Sequence, residues 1–307
     1  TVDLEGATCG GPDRSPYQYF FNPPPTAPEG ILFVLAGGGA CMKSGPAPAG
    51  ATGVAAQLHC MDYGNFRDPY FNALTFASDL APAMAIPFFR RSDDNPFRDY
   101  VFVAVPYCTG DVHAGSMTEP FDYDPEPENT FEVLHRGHLN VEAVVDDVHS
   151  RYPTDLPVIL SGFSAGGFGA IYNFETVVAR YPRTTVVSDA GIAPGVPGST
   201  MEMEAERLAE RWSALELLPA YCRDRSCIAN TLHLLAAHAR AHNGRGERPW
   251  RPFGLLQGQQ DSTLSAYLEV SPCGYQLALA SGLAEALAND NVRAYVPATS
   301  KHVFGAV

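Results

Sequence analysis

The sequence predicts an α/β fold, a mostly parallel sheet with helices on both faces, and three observations predict it. Short β-branched and aromatic runs closed by Gly or Pro recur along the chain, as buried parallel strands do. Segments with the apolar period of a helix separate them. The alternation runs through all 307 residues, 46% of them hydrophobic, with no Ser/Gly-rich or charge-rich linker to divide it. Residues 1–307 therefore read as one unit with a large core.

The first such strand is "GILFVLAG" (30–37), which runs into the glycine-rich "LAGGGAC" (35–41). Residues 40–98 lack clear periodicity and are rich in Gly, Pro and aromatics, so they are expected as loops over the C-terminal edge of the sheet. Within them the apolar "APAMAIPFF" (81–89) reads either as ordinary core packing or as the lining of an acyl pocket, or as part of a lid over 79–97. "DYVFVAVPY" (99–107) is the next strand, followed by a helix over 138–151 and the strand "LPVILSG" (156–162). A helix over 165–181, the strand "TTVVSDAG" (184–191) and helices over 202–217 and 226–242 come next. "RPFGLLQG" (251–258) and "NVRAYVPA" (291–298) are the last strands, and the helix between them, 272–289, opens at "SPCG" with Ser271 as N-cap and Pro272 at the first helical position.

The net charge of −14, from 34 acidic and 20 basic residues, repels phosphate backbones and anionic lipid. Nucleic acid is excluded as a partner, and a bare polygalacturonate is disfavoured as a substrate. No stretch approaches the roughly 20 apolar residues that span a bilayer. The chain starts at Thr1, which reads as a processed start, and it carries seven cysteines. Secretion or a periplasmic location is expected, where cysteines pair. "CRDRSC" favours a local Cys222–Cys227 bridge, and an odd count leaves at least one thiol free or paired between chains. The alternative is a cytosolic protein with buried free cysteines.

In "GFSAGG" a G-x-S-x-G pattern follows a predicted strand and opens a predicted helix, which is the context of a nucleophile elbow. Gly162 and Gly166 let strand and helix backbones approach, and the helix starting at Ala165 aims its amides at the centre where negative charge develops. The bland alternative is a small-residue turn. If Ser164 is a nucleophile on an α/β-hydrolase-like fold, chain order requires an acid and then a histidine downstream. His302, in "ATSKHVF", is the histidine that follows the last strand. His135, His138 and His149 precede the serine. His238 and His242 have the i, i+4 spacing of a metal pair but show no acidic third ligand in the sequence, so a core-edge pair is preferred and no metal is expected. Two aspartates end later strands, Asp261 in "QGQQDST" and Asp189 in "VVSDAG". Asp261 is preferred as the acid, with Asp189 as the rival or as a structural carboxylate nearby. Backbone amides of Gly38, Gly39 and Ala40, with Ala165, are the candidate oxyanion hole; the loop lacks the spacing of a nucleotide cradle.

Together these motifs resemble the pectin acetylesterase and Notum carboxylesterase family. "LAGGGACM", "DNPFRDYVFVAVPYCTGDVHAG" (94–115), "GFSAGGFGA", "SDAG", "QGQQDST" and "SKHVFG" follow the family's order over most of residues 30–305. The resemblance implies Ser164, Asp261 and His302 as a triad, amides near Gly38, Gly39 and Ala165 as the oxyanion hole, and Asp111 close to the site, either near the substrate or as a buried turn-stabilising group. Ala40 replaces a bulky aromatic of the family and His113 replaces Trp, which implies a wider or more polar pocket wall.

The resulting expectation is a secreted serine carboxylesterase that needs no cofactor, works through an acyl-enzyme and loses activity in acid as its base is protonated. Its ester substrate is an acetylated polysaccharide or, alternatively, a lipophilic acyl ester or polyester. A non-catalytic binding module on the same fold is the remaining rival.

Overall fold

A computed structural model describes residues 1–62, 89–123, 131–152, 155–244 and 251–304. Among the described residues, ten strands are β1 (Val2–Thr8), β2 (Pro16–Asn22), β3 (Gly30–Leu35), β4 (Tyr100–Val105), β5 (Phe121–Asp122), β6 (Glu132–Val133), β7 (Val158–Phe163), β8 (Thr184–Asp189), β9 (Phe253–Leu256) and β10 (Val292–Tyr295). Eight of them form one sheet in the order β1-β2-β4-β3-β7-β8-β9-β10, and β5 and β6 form a separate hairpin. β1 and β2 pair antiparallel with their neighbours, while β4, β3, β7, β8, β9 and β10 are parallel. This mostly parallel sheet with its helices is an α/β-hydrolase-like fold.

The helices are α1 (Val54–Gln57), α2 (Gly137–Arg151), α3 (Ala165–Tyr172), α4 (Phe174–Arg180), α5 (Thr200–Arg211), α6 (Arg225–Ala229), α7 (Thr231–Ala241), α8 (Ser262–Tyr267) and α9 (Pro272–Leu287). The single helix expected over 165–181 is divided at Asn173, whose amide nitrogen donates to the carbonyls of Gly169 and His113. The one expected over 226–242 is divided at Asn230, whose side chain instead caps α7 by accepting from the His233 amide, 3.0 Å. The helix expected over 202–217 stops at Arg211, and Ser213 just beyond it sits at φ 51°. Ser271 caps α9 as the sequence suggested, accepting from the Gly274 amide at 3.0 Å.

Strand alternation sorts the core into two layers. Ile31, Phe33 and Leu35 of β3 face a large cluster that takes in buried side chains of α2 through α9. Leu32 and Val34 face the other way, onto Phe89, Phe102 and Ala104, with Phe97 and Phe163 beside them. Among the described residues the helices thus bury on one face, and residues 63–88, with the apolar run 81–88 and most of the suggested lid, lie outside the described residues. The described part of the 40–98 segment holds α1 and a 3₁₀ turn at Cys60–Asp62.

Three disulfides are present, Cys9–Cys108, Cys41–Cys60 and the local Cys222–Cys227 expected from spacing, and Cys273 is a free, exposed thiol. Cys9–Cys108 staples the β1–β2 edge to the end of β4. Cys41–Cys60 closes the loop that leaves β3.

Candidate active site

Ser164 sits between β7 and α3 at φ 55°, ψ −123°, a left-handed backbone that a serine adopts at a cost of about 1–3 kcal/mol. The surrounding contacts hold it there. A Cβ on Gly162 would lie 2.2 Å from the Gly166 carbonyl oxygen, and one on Gly166 only 1.9 Å from that of Leu35. Bare backbones are therefore what allow β3, β7 and α3 to meet at this turn. The Ser164 amide donates to the Asp189 carbonyl, 2.8 Å, and the Ser164 carbonyl accepts from the amides of Gly167 and Phe168.

The loop after β10 brings His302 to this turn. Its Nε2 lies 2.9 Å from Ser164 Oγ and its Nδ1 lies 2.7 Å from Asp261 Oδ2. With the carboxylate on one side, the consistent tautomer has Nδ1–H donating to Asp261 and a bare Nε2 accepting from the hydroxyl. Asp261 is fully buried, and neither oxygen is idle. Oδ1 accepts from the Leu264 amide at 2.9 Å, which makes Asp261 the N-cap of α8, and Oδ2 also accepts from Gln257 Nε2 at 2.9 Å. Gln257 and α8 were not foreseen. The sequence signal, a polar "QGQQD" run after a strand, marks a loop and not which of its amides reaches the carboxylate.

Asp189 ends β8 beside Ser164. Its two carboxylate oxygens accept the Phe304 amide at 3.0 and 2.8 Å, so it anchors the loop that carries the histidine. The geometry gives it the structural position and gives the imidazole contact to Asp261.

Gly37 passes close to the nucleophile, where a Cβ would lie 2.9 Å from Ser164 Cβ, and Gly39 takes φ +79°. The loop is pinned at its base, since His113 Nε2 donates to the Ala36 carbonyl at 2.9 Å. Burial pushes the His113 pKa down to about 4, so the ring is neutral. His113 sits at φ 59° and turns inward against Tyr107. It is thus a support beneath the glycine loop and not a polar pocket wall. Asp111 is likewise fully buried, accepting from Thr109 Oγ1 at 2.6 Å and from the amides of His113, Gly115 and Gly137. It organises the turn that carries His113. Ala40 lines the cavity beside Tyr267.

A cavity of about 30 Å³ opens beside Ser164, lined by Gly39, Ala40, Val112, Phe168, Tyr267 and Leu268 among others. A second, of about 100 Å³, lies on the opposite face of the sheet among Leu32, Val34, Phe89, Phe97 and Phe163.

The remaining histidines are engaged away from Ser164. His135 Nδ1 donates to the Thr109 carbonyl and Nε2 accepts from Tyr123, and His138 Nδ1 lies 2.7 Å from Asn173 Oδ1. His238 and His242 are buried, and an acidic group does reach them. Glu175 of α4 accepts from His242 Nε2 at 2.8 Å, while Tyr221 bridges to His238 Nδ1 at 2.6 Å. Among the described residues, the two groupings with metal-ligand proximity are Cys41, Cys60, His135 and Cys222, Cys227, His233. Each contains a disulfide, and a disulfide sulfur is not a thiolate ligand.

An α/β-hydrolase-like sheet with a serine elbow, facing histidine and buried carboxylate defines the class of protein. Comparison with known proteins shows what the chain is similar to. The family model for pectinacetylesterase matches residues 84–208. Palmitoleoyl-protein carboxylesterase notum2 of Xenopus laevis is 33% identical over 97 residues, which are 31% of this chain and 18% of that protein. The match therefore spans about a fifth of the relative's length. Two crystal forms of Drosophila Notum, described as a Wnt deacylase, superpose with TM-scores of 0.56 and 0.55 at 18% and 17% identity. Each covers 96% of this chain and 83% of the Notum chain. Residues 84–208 thus match the pectinacetylesterase family model, and the chain as a whole is similar to Notum in fold.

Proposed function

We propose that this protein is a serine carboxylesterase that removes short acyl groups, acetyl above all, from a hydroxyl-rich substrate such as a polysaccharide. The observation that carries the reading is the relay in which His302 lies 2.9 Å from Ser164 Oγ and 2.7 Å from Asp261. Ser164 Oγ attacks the ester carbonyl carbon while its proton passes to His302 Nε2, and Asp261 stabilises the imidazolium. The amides of Ala165, Gly38 and Gly39 are the donors to the oxyanion. The carbon–oxygen bond to the alcohol then breaks, His302 returns the proton to the departing oxygen, and water repeats the cycle to free the acid and regenerate the serine.

The small cavity beside Ser164, about 30 Å³, favours a short acyl group over a fatty chain. The charge of −14 favours a neutral glycan over a polyanion. Three disulfides favour an oxidising compartment, which supports secretion. Hydrolysis of acetylated glycans, triglycerides and polyesters by wild type and Ser164→Ala tests the reading, together with fluorophosphonate labelling. Acetyl release by wild type, reduced at least about 10³-fold in Ser164→Ala, is expected. A wild-type protein that takes no label and cleaves none of the panel would identify a binding module.

A further inference from the structure

Tyr267 is the last residue of α8, the six-residue helix whose N-cap is Asp261. One helix thus begins at the carboxylate that faces His302 and ends at a phenol in the wall of the Ser164 cavity. The ring is buried, and its hydroxyl is pressed onto the glycine loop so closely that a Cβ on Gly39 would lie 1.9 Å from Oη. There Oη donates to Gln57 Oε1, at the end of α1. Burial pushes the phenol's pKa up to about 12, so it keeps the proton it donates. Just past α8, Glu269 pairs with Lys43 at 2.7 Å, a second tie between this helix end and the same loop. Position 40, beside the phenol, holds only a methyl group.

We propose that Tyr267 is the positioning and specificity residue of this site: its hydroxyl holds the Gly39–Ala40 turn against Ser164, and its ring closes the acyl cavity at about acetyl size. The inference rests on the esterase reading above and adds the residue that sets acyl length. The two contributions separate by atom. The hydroxyl governs where the amides sit, and so acts on the chemical step. The ring governs volume, and so acts on which acyl chains enter.

The test is a p-nitrophenyl ester series from acetate to octanoate with wild type, Tyr267→Phe and Tyr267→Ala, alongside fluorophosphonate labelling and far-UV circular dichroism. Tyr267→Phe keeps the ring. It is expected to lower kcat roughly ten- to a hundredfold on every ester, with KM and the preferred length unchanged. Tyr267→Ala is expected to lower kcat similarly and to move the preferred length to butyrate or beyond. A folded Tyr267→Phe with wild-type kcat, or a folded Tyr267→Ala that still prefers acetate, overturns the proposal. Should Tyr267→Ala fail to fold, Tyr267→Leu gives the same volume readout with an apolar side chain. A wild type that neither labels nor turns over any ester fails the esterase reading itself, which is a different result from an active wild type whose variants behave alike.

Discussion

Asp189 and Asp261 both end strands after the serine, and their side chains differ only in what they meet. Asp261 meets the imidazole, while Asp189 spends both oxygens on the Phe304 amide and offers its own carbonyl to Ser164. It ties the Ser164 turn to the histidine loop. Asp189→Ala is therefore expected to lower kcat by roughly tenfold to a hundredfold with little change in KM, since the cost is misplacement of His302. Asp189→Asn, which still accepts one hydrogen bond from Phe304, is expected to recover much of that loss. A steady-state comparison of the two variants checks this, and equal losses would point to a role for the charge itself. The structure brings Ser164, Asp261 and His302 into contact as their motifs suggested, because a G-x-S-x-G turn constrains its neighbours sterically and the motif reports those constraints. The direction of each side chain was not legible in the sequence. His113 reads as a wall residue, yet the structure buries it against Tyr107 with Nε2 on the Ala36 carbonyl.

At the scale of elements, α8 does two tasks with one aspartate. Oδ1 of Asp261 caps the helix and Oδ2 faces His302, so substitution separates folding from chemistry. Asparagine caps a helix about as well as aspartate, but it cannot hold the imidazole in the same tautomer with the same charge. Asp261→Asn is expected to retain stability within about 1 kcal/mol while turnover drops by about 10⁴, measured by urea unfolding and by acetate ester hydrolysis. A variant that loses both together would show that the cap and the orientation cannot be uncoupled. Helix α8 escaped the sequence reading because six residues give less than two turns of periodicity. Strands β1 and β2 escaped it for another reason. β1 is largely exposed along the sheet edge, so burial imposes little pattern on it. The buried parallel strands announced themselves as continuous apolar runs, and their ends were legible to within a few residues. Asn173 and Asn230 broke two expected helices because their side chains found better partners than a continuing helix provides.

For the molecule as a whole, the strand order explains how residues 164, 261 and 302 converge, since β7, β8, β9 and β10 are consecutive parallel neighbours whose following loops emerge at the same edge. The opposite side of that design is a set of histidines buried without charge behind the glycine loop, and they make the fold acid-sensitive. Burial holds His113 down to about 4 and His135 down to about 3, against 6.5 for an unfolded histidine, and lowers His138 as well. Below pH 6.5 the unfolded chain binds protons that these folded rings refuse. Stability is thus complete above pH 6.5 and falls as the pH drops toward 4, at about 1.4 kcal/mol per pH unit for each of His113 and His135. Asp111 works in the opposite sense, because burial raises its pKa and its carboxyl is favoured in acid. Glu175, held to about 2 by its histidine partners, contributes an acid loss only below its unfolded 4.5. Between pH 6.5 and 5 the histidines dominate the slope. Urea unfolding of wild type and His113→Asn at pH 7.5 and pH 5 isolates one ring, because the other groups cancel in the difference. The variant is expected to be less stable at pH 7.5, having lost the hydrogen bond to Ala36, yet to lose roughly 2 kcal/mol less than wild type on going to pH 5. Parallel losses in the two proteins would mean that His113 takes up its proton without unfolding. The support beneath the glycine loop would then be a charged one.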